Sequence, residues 1–183
     1  MTGQRIIYSN KSVKITNVGV RSFVEESDNF LPESFKLQYS KFLVNAGDIV
    51  IALTRSIISA GVKVCVVPDS YNQSLLNQRV ASVSAKKNYA LNTFLYSVLS
   101  SNSTKLYIEK RVNTLMQPNL SITDLIELPI YTPSLEEQQT IVAKLDALSA
   151  ETKKLEAIYQ QKLLDLDELK KSILQKAFRG ELS

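Results

Sequence analysis

The sequence predicts an α+β protein, a mixed β-rich domain over residues 1–133 followed by a single long C-terminal helix over residues 134–183. Three observations carry this reading. The last quarter holds no Pro or Gly between Ser134 and Gly180. Its apolar residues recur with heptad spacing. The first 133 residues instead alternate short, β-branched apolar runs with turns rich in Asn, Gly, Asp and Pro.

The helix comes first because its signals are strongest. Ser134 and Glu137 have capping-box spacing, in which the serine oxygen accepts from the Glu137 amide and the glutamate reaches back. Gly180 is a natural stop just past a helix end. The roughly 44 residues between would extend about 65 Å at about 1.5 Å per residue, far beyond the usual helix of about 11–12 residues. Ile141, Leu145, Leu148, Thr152, Leu155, Tyr159, Lys162, Leu166, Leu169 and Ile173 alternate steps of four and three, a coiled-coil seam with two polar interruptions. Ile158, Leu163 and Leu164 widen the stripe. Such a seam either pairs with another long helix or folds back over its own domain; its persistence over more than about four heptads favours pairing.

In the domain, Arg5–Tyr8 and Val13–Thr16 read as strands separated by a polar turn, Ser9-Asn10-Lys11-Ser12. Pro32 opens a short helix or turn. Asn45-Ala46-Gly47-Asp48 is a tight turn feeding Ile49–Leu53, the expected central buried strand, with Thr54-Arg55-Ser56 emerging at its end. Val62–Val67 is the next strand, and another ends near Ser84. Asn92 and Ser103 are expected to cap two helices and Ser121 a third. Leu128–Tyr131 reads as a final edge strand.

Composition narrows the function. Histidine is absent and Cys65 is the sole cysteine, which removes a His-based triad, a His-ligated metal and a thiolate cluster. With five glycines there is no Gly-rich phosphate loop. The chain is therefore not expected to be an enzyme. Cys65, within Val64–Val67, reads as a buried strand residue in a reducing compartment. No apolar stretch reaches the length of a membrane span and no signal-peptide pattern is present, so the expected location is cytoplasmic.

The net charge of +4 is concentrated. From Arg55 to Arg111, Arg55, Lys63, Arg79, Lys86, Lys87, Lys105, Lys110 and Arg111 face only Asp69 and Glu109. Such a basic region suits a polyanion partner, although a solvated surface gives the same count. Base edges are read by Arg, Lys, Asn and Gln. The candidate DNA-binding residues are Arg55, Ser56, Lys63, Asn77, Gln78, Arg79, Lys86, Lys87, Gln117 and Asn119. Asn77 and Asn119 can equally bond their own backbones in turns, and Arg55 can pair with Asp48 or Asp69. Tyr71, Tyr89, Tyr96 and Tyr107 can stack on bases or belong to the core.

Several stretches carry a resemblance. Leu128–Val142, the leucine-rich helix, the ending Leu174-Gln-Lys-Ala-Phe-Arg-Gly-Glu-Leu182, and the upstream Ala46–Arg55, Leu76–Val80 and Met116–Ser121 resemble the specificity (S) subunit of type I restriction–modification enzymes. The likeness covers nearly the whole chain. It implies a target recognition domain over 1–133 and a dimerisation and spacer helix over 134–183 that forms an antiparallel coiled coil. It also implies a non-catalytic subunit that reads a half-site in double-stranded DNA and scaffolds the methyltransferase (M) and restriction (R) subunits. The chain itself would hold no cofactor, with S-adenosylmethionine on the M subunit. A full S subunit resembles two such units in tandem and this chain holds one, with a short lead before Arg5, so it resembles a half subunit. Two copies would then make a homodimer through Ile141, Leu145, Leu148, Leu155, Tyr159, Leu166, Leu169 and Ile173. The rival reading is a coiled-coil assembly protein, or a regulatory decoy that pairs with the M subunit without reading DNA.

Overall fold

A computed structural model describes residues 8–112 and 119–181. In chain order the elements are β1 (Tyr8–Val13), β2 (Phe30–Pro32), α1 (Ser34–Gln38), β3 (Leu43–Val44), β4 (Ile49–Ala52), β5 (Ile57–Ile58), β6 (Gly61–Val62), β7 (Val64–Val66), β8 (Ser74–Leu76), β9 (Val80–Val83), α2 (Asn92–Leu99), α3 (Asn102–Arg111), α4 (Ile122–Ile126) and α5 (Leu135–Phe178). This is the expected α+β organisation, strands first and one long helix last. The chain divides into two compact units, residues 1–139 and 140–183.

In the first unit, β4 is the organising strand. It is the middle of a three-stranded antiparallel sheet, β7-β4-β9. All four of its residues are buried, which explains why the run does not alternate. Successive side chains leave opposite faces of the strand. Ile49 and Ile51 enter a core shared with Leu95, Leu99 and Ile108 from α2 and α3. Val50 and Ala52 enter a second core with Val13, Val44, Cys65 and Tyr71, beside the four-stranded sheet β2-β1-β8-β3. One strand thus walls off two cores. The turn ahead of it is as expected: the Asp48 N–H donates to the Asn45 carbonyl (3.1 Å), the Asp48 carboxylate accepts from the Asn45 N–H, and Gly47 has φ 87°.

Burial pushes the Cys65 thiol up to about 12. Only the thiolate attacks reagents such as Ellman's. We expect no reaction at pH 7–8 until denaturant is added, then one equivalent per chain; release of colour from the native protein would contradict this burial.

Five local expectations are corrected. The polar run Ser9–Ser12 is not a turn but part of β1, because its side chains find partners: the Asn10 amide donates to the Pro32 and Glu33 carbonyls, and the Ser12 hydroxyl donates to Asn29. Residues 5–7 lie outside the described residues. The expected strand Val62–Val67 is broken at Lys63 into β6 and β7. Asn92 does not cap α2; its side chain accepts instead from the Ala85 N–H (2.8 Å), and Leu91 is the N-cap. Ser101 rather than Ser103 caps α3, accepting from the Thr104 N–H at 3.2 Å. Leu128–Tyr131 joins no sheet. Pro129 lacks a donor for a ladder, and Leu128 and Ile130 pack on the core instead.

The signals of the long helix hold at both ends. Ser134 Oγ accepts from the Glu137 N–H (3.3 Å), and the Glu137 carboxylate accepts from the Ser134 N–H (2.9 Å). The Ser134 donors hold the Glu137 carboxyl below its ordinary range. At the far end the Glu181 N–H reaches the Lys176 carbonyl (2.9 Å) and the Gly180 N–H the Ala177 carbonyl (3.1 Å), with Gly180 at φ 72°. That pair of bonds is a Schellman closure, and the positive φ is why glycine stands there. Gln138 is the helix's one buried residue among those described, fully enclosed. In the second unit the apolar stripe is open: Leu148 is 59% exposed and Leu166 61%. No helix is long and apolar enough to cross a membrane among the described residues.

Candidate nucleic-acid interface

The sequence candidates come together where β4 ends. Its neighbour β9 runs antiparallel, with Ala52 opposite Val80 and Ile49 opposite Val83. One residue beyond β4, the Leu53 N–H donates to the Arg79 carbonyl (2.9 Å), while the Leu53 carbonyl accepts from the Leu120 N–H (2.7 Å). Thr54 then bridges Asn119. Three segments distant in sequence are thereby fixed to one strand end by main-chain bonds. They present Arg55, then Asn77, Gln78 and Arg79, then Asn119, all exposed. Arg55 has φ 50°, the left-handed region, which costs a non-glycine residue about 1 kcal/mol and turns its side chain away from the strand's course. The Asn77 side-chain oxygen accepts from the Arg79 N–H (3.1 Å), an Asx-type turn. The edge therefore offers two guanidinium groups and three amides on a rigid frame, the donor and acceptor set that base edges require.

The remaining candidates divide. Ser56, expected beside Arg55 at the surface, is fully buried, and its hydroxyl has no partner among the described residues; enclosed there, it is not a surface contact. Lys63 lies at the same strand end, its carbonyl accepting from the Ala52 N–H (3.0 Å), but its ammonium is held by the Ile15 carbonyl at 2.9 Å. Burial, then the nearby Arg55 charge, lower its pKa. Lys86 and Lys87 follow β9, whose far end pairs with the start of β4, so they sit at the end of the sheet opposite Arg79. Gln117 lies outside the described residues. Two further basic residues are committed elsewhere. Arg111 pairs with Glu127 and Asp124 and covers the Tyr107 ring, and Lys105 pairs with Glu109. The basic region of the sequence is thus not one patch. Of the four tyrosines, Tyr71 is buried, Tyr96 and Tyr107 are half-buried, and Tyr89 is exposed.

The sequence reading missed a groove beside this edge. A cavity of about 500 Å³ is walled by Leu31, Phe35, Tyr39, Phe42, Leu75 and Ile122, with Leu53, Asn77 and Gln78 at its rim. The spacing of Phe35 and Tyr39, one helical turn apart with ring centroids 5.4 Å apart, was the available signal.

A family described as "Type I restriction modification DNA specificity domain" matches residues 3–164. The chain belongs to that family. Among curated members, the type I restriction enzyme MjaVIII specificity subunit of Methanocaldococcus jannaschii is 29% identical over 172 residues, covering 94% of this chain and 40% of that protein. The EcoBI specificity subunit of Escherichia coli is 28% identical over 153 residues, covering 84% and 31%. Among solved structures, the HsdS subunit from Thermoanaerobacter tengcongensis superposes with a TM-score of 0.69 at 19% identity, over 90% of this chain and 41% of that one. A chain from a study of complex assembly and conformational transition of the type I R-M system gives 0.73 at 19% identity, over 94% and 43%. These two share the fold. The chain spans 40% of the length of the MjaVIII protein and 31% of that of the EcoBI protein.

Proposed function

We propose that this chain is a DNA sequence-specificity subunit of a type I restriction–modification system, carrying one target recognition domain that reads one half-site of double-stranded DNA. The observation that carries the reading is the convergence of Arg55, Asn77–Arg79 and Asn119 at the end of β4, in a specificity-domain chain. The readers stand on loops held by strands, which lets side chains vary without disturbing the two cores. The chain contributes recognition and scaffolding, not catalysis. It would assemble with methyltransferase and restriction subunits, and S-adenosylmethionine would be held on the methyltransferase. The open seam of α5 would be covered by a second copy, giving two readers about a two-fold axis.

The test compares specific and scrambled duplexes. Arg79→Ala is expected to weaken specific binding by about 1–3 kcal/mol, the worth of a bidentate base contact, and to leave scrambled duplex little changed. Lys86→Ala, at the other end of the sheet, should weaken both duplexes alike or neither. Equal losses on both duplexes for Arg79→Ala would make it a phosphate contact and remove it from the reading edge.

A further inference from the structure

The groove beside the reading edge is built from the same segments as the edge. Phe35, Tyr39 and Phe42 stand four and three residues apart, the spacing that puts side chains on one helical face. The backbone carries that face through the turn after α1. The Tyr39 N–H donates to the Phe35 carbonyl (2.8 Å) and the Phe42 N–H to the Tyr39 carbonyl (2.9 Å). Leu43, the next residue, pairs with Leu75, so the aromatic row is tied to β8. That strand leads directly into Asn77, Gln78 and Arg79. Ile122 completes the wall, two residues after the Leu120 N–H that bonds the Leu53 carbonyl. Tyr39, Phe42 and Ile122 are 38%, 45% and 50% exposed. Large apolar groups left open together mark a surface that something covers.

A nucleobase has two apolar faces and a rim of donors and acceptors. The groove offers the complement, aromatic and aliphatic walls with the amides of Asn77 and Gln78 at one rim. Aromatic rings stack on any base, and Asn or Gln pairs with the edge of one. The volume of about 500 Å³ lies in the range of small-molecule sites. No carboxylate is among the described residues that line it. The Lys41 ammonium stands 5.0 Å from the Phe42 ring centroid, and Arg79 follows Gln78, so cations are at hand for a phosphate backbone. We propose that this groove takes a single base unstacked from the target duplex, with Tyr39 and Phe42 as stacking faces and Asn77 and Gln78 as the amides that read its edge. This rests on the DNA-reading proposal above and goes beyond it. The edge reads bases that stay paired, whereas the groove admits one that has left the stack. A protein segment seated there would cover Asn77 and Gln78 and withdraw them from the edge, which is why the position favours DNA as the occupant.

A mismatch scan of the full chain tests it. Extruding a base costs least where the base has no proper partner. The specific duplex is compared with duplexes carrying one mismatch at each half-site position in turn. Most mismatches should weaken binding or leave it unchanged, and one should tighten it about tenfold or more. Tyr39→Ala should abolish that gain, and Tyr39→Phe should keep it, since phenylalanine still stacks. Ile122→Trp fills the groove from an exposed position and should abolish the gain with both aromatic walls in place. Urea midpoints measured beside each titration separate loss of the groove from loss of the fold, and Ile122→Trp decides if Tyr39→Ala unfolds. A scan in which no mismatch tightens binding, while specific duplex still outcompetes scrambled, would overturn the groove and leave the reading edge standing. A gain that survives both Tyr39→Ala and Ile122→Trp would do the same. Unchanged DNA binding in both variants with weaker co-sedimentation of a purified methyltransferase subunit would assign the groove to a protein instead. A wild-type chain that does not distinguish specific from scrambled duplex would remove both proposals.

Discussion

Gln138→Leu is expected to destabilise the first unit by about 3 kcal/mol in urea unfolding followed by circular dichroism. The cause is geometric. The Gln138 side-chain oxygen accepts from the Leu91 N–H at 2.9 Å, and its amide donates to the carbonyls of Tyr89 (2.9 Å) and Pro133 (2.8 Å). One side chain closes three main-chain groups, among them the N-cap of α2, which has no side-chain cap of its own. Leucine has similar bulk and fills the space but strands all three groups, each worth about 1–3 kcal/mol when buried and less where water can enter. Gln138→Glu keeps the acceptor for Leu91, loses both donors and buries a charge, so it should be at least as damaging. A loss under about 1 kcal/mol for both variants would mean that water replaces the amide and that Gln138 is not what fixes this corner.

Replacing Leu148 and Leu155 together by Asp is expected to weaken self-association by about a thousandfold or more. A pair loses four apolar side chains, each worth about 1.5–3 kcal/mol when fully buried, and gains four charges in the seam. Neither residue is buried in the single chain, where they are 59% and 54% exposed, so the unfolding midpoint of the first unit should not move. Sedimentation equilibrium over a concentration series, with the denaturation curve beside it, measures both. The double variant should also lose the cooperative gain on a duplex carrying two inverted half-sites while keeping its affinity for one. An unchanged mass at all concentrations would show that the stripe serves another partner.

The helix was legible because each of its signals is local. A capping box, a heptad and a terminal glycine need no knowledge of the rest of the chain. Ile49–Ala52 was legible for a related reason: an unbroken apolar run is what a strand buried on both faces requires. The failures share the opposite cause. Asn10, Ser12 and Asn92 look like turn or cap residues, yet their partners lie 7 to 23 residues away in sequence, so no window around them reveals the bond. Ser56 sat in the right neighbourhood but beneath the surface, and the half-buried Lys63 has its ammonium taken by the Ile15 carbonyl, neither of which neighbours in sequence report. The convergence of Arg55 with Arg79 is likewise a property of the β4–β9 register, and that with Asn119 of the bridge it makes to Thr54. The residue types could be named from the chain, but which of them share an edge could not. Lys86 and Lys87 show the same point in reverse: seven and eight residues from Arg79, they leave the sheet at its other end.

An unbroken α5 has one consequence for how such a protein can change. A helix adds about 1.5 Å and about 100° with every residue, so length and facing cannot be altered independently. Seven extra residues lengthen it by about 10 Å and return the seam to within about 20° of its old direction. Two extra residues turn everything beyond them by about 200°, to the far side. Insertions are therefore tolerated periodically, and a pair built on this helix would change its reach along DNA in jumps of roughly three base pairs at about 3.4 Å each. Distance between half-sites would be inherited as a stepped character, as teeth are on a gear, rather than drifting one base pair at a time.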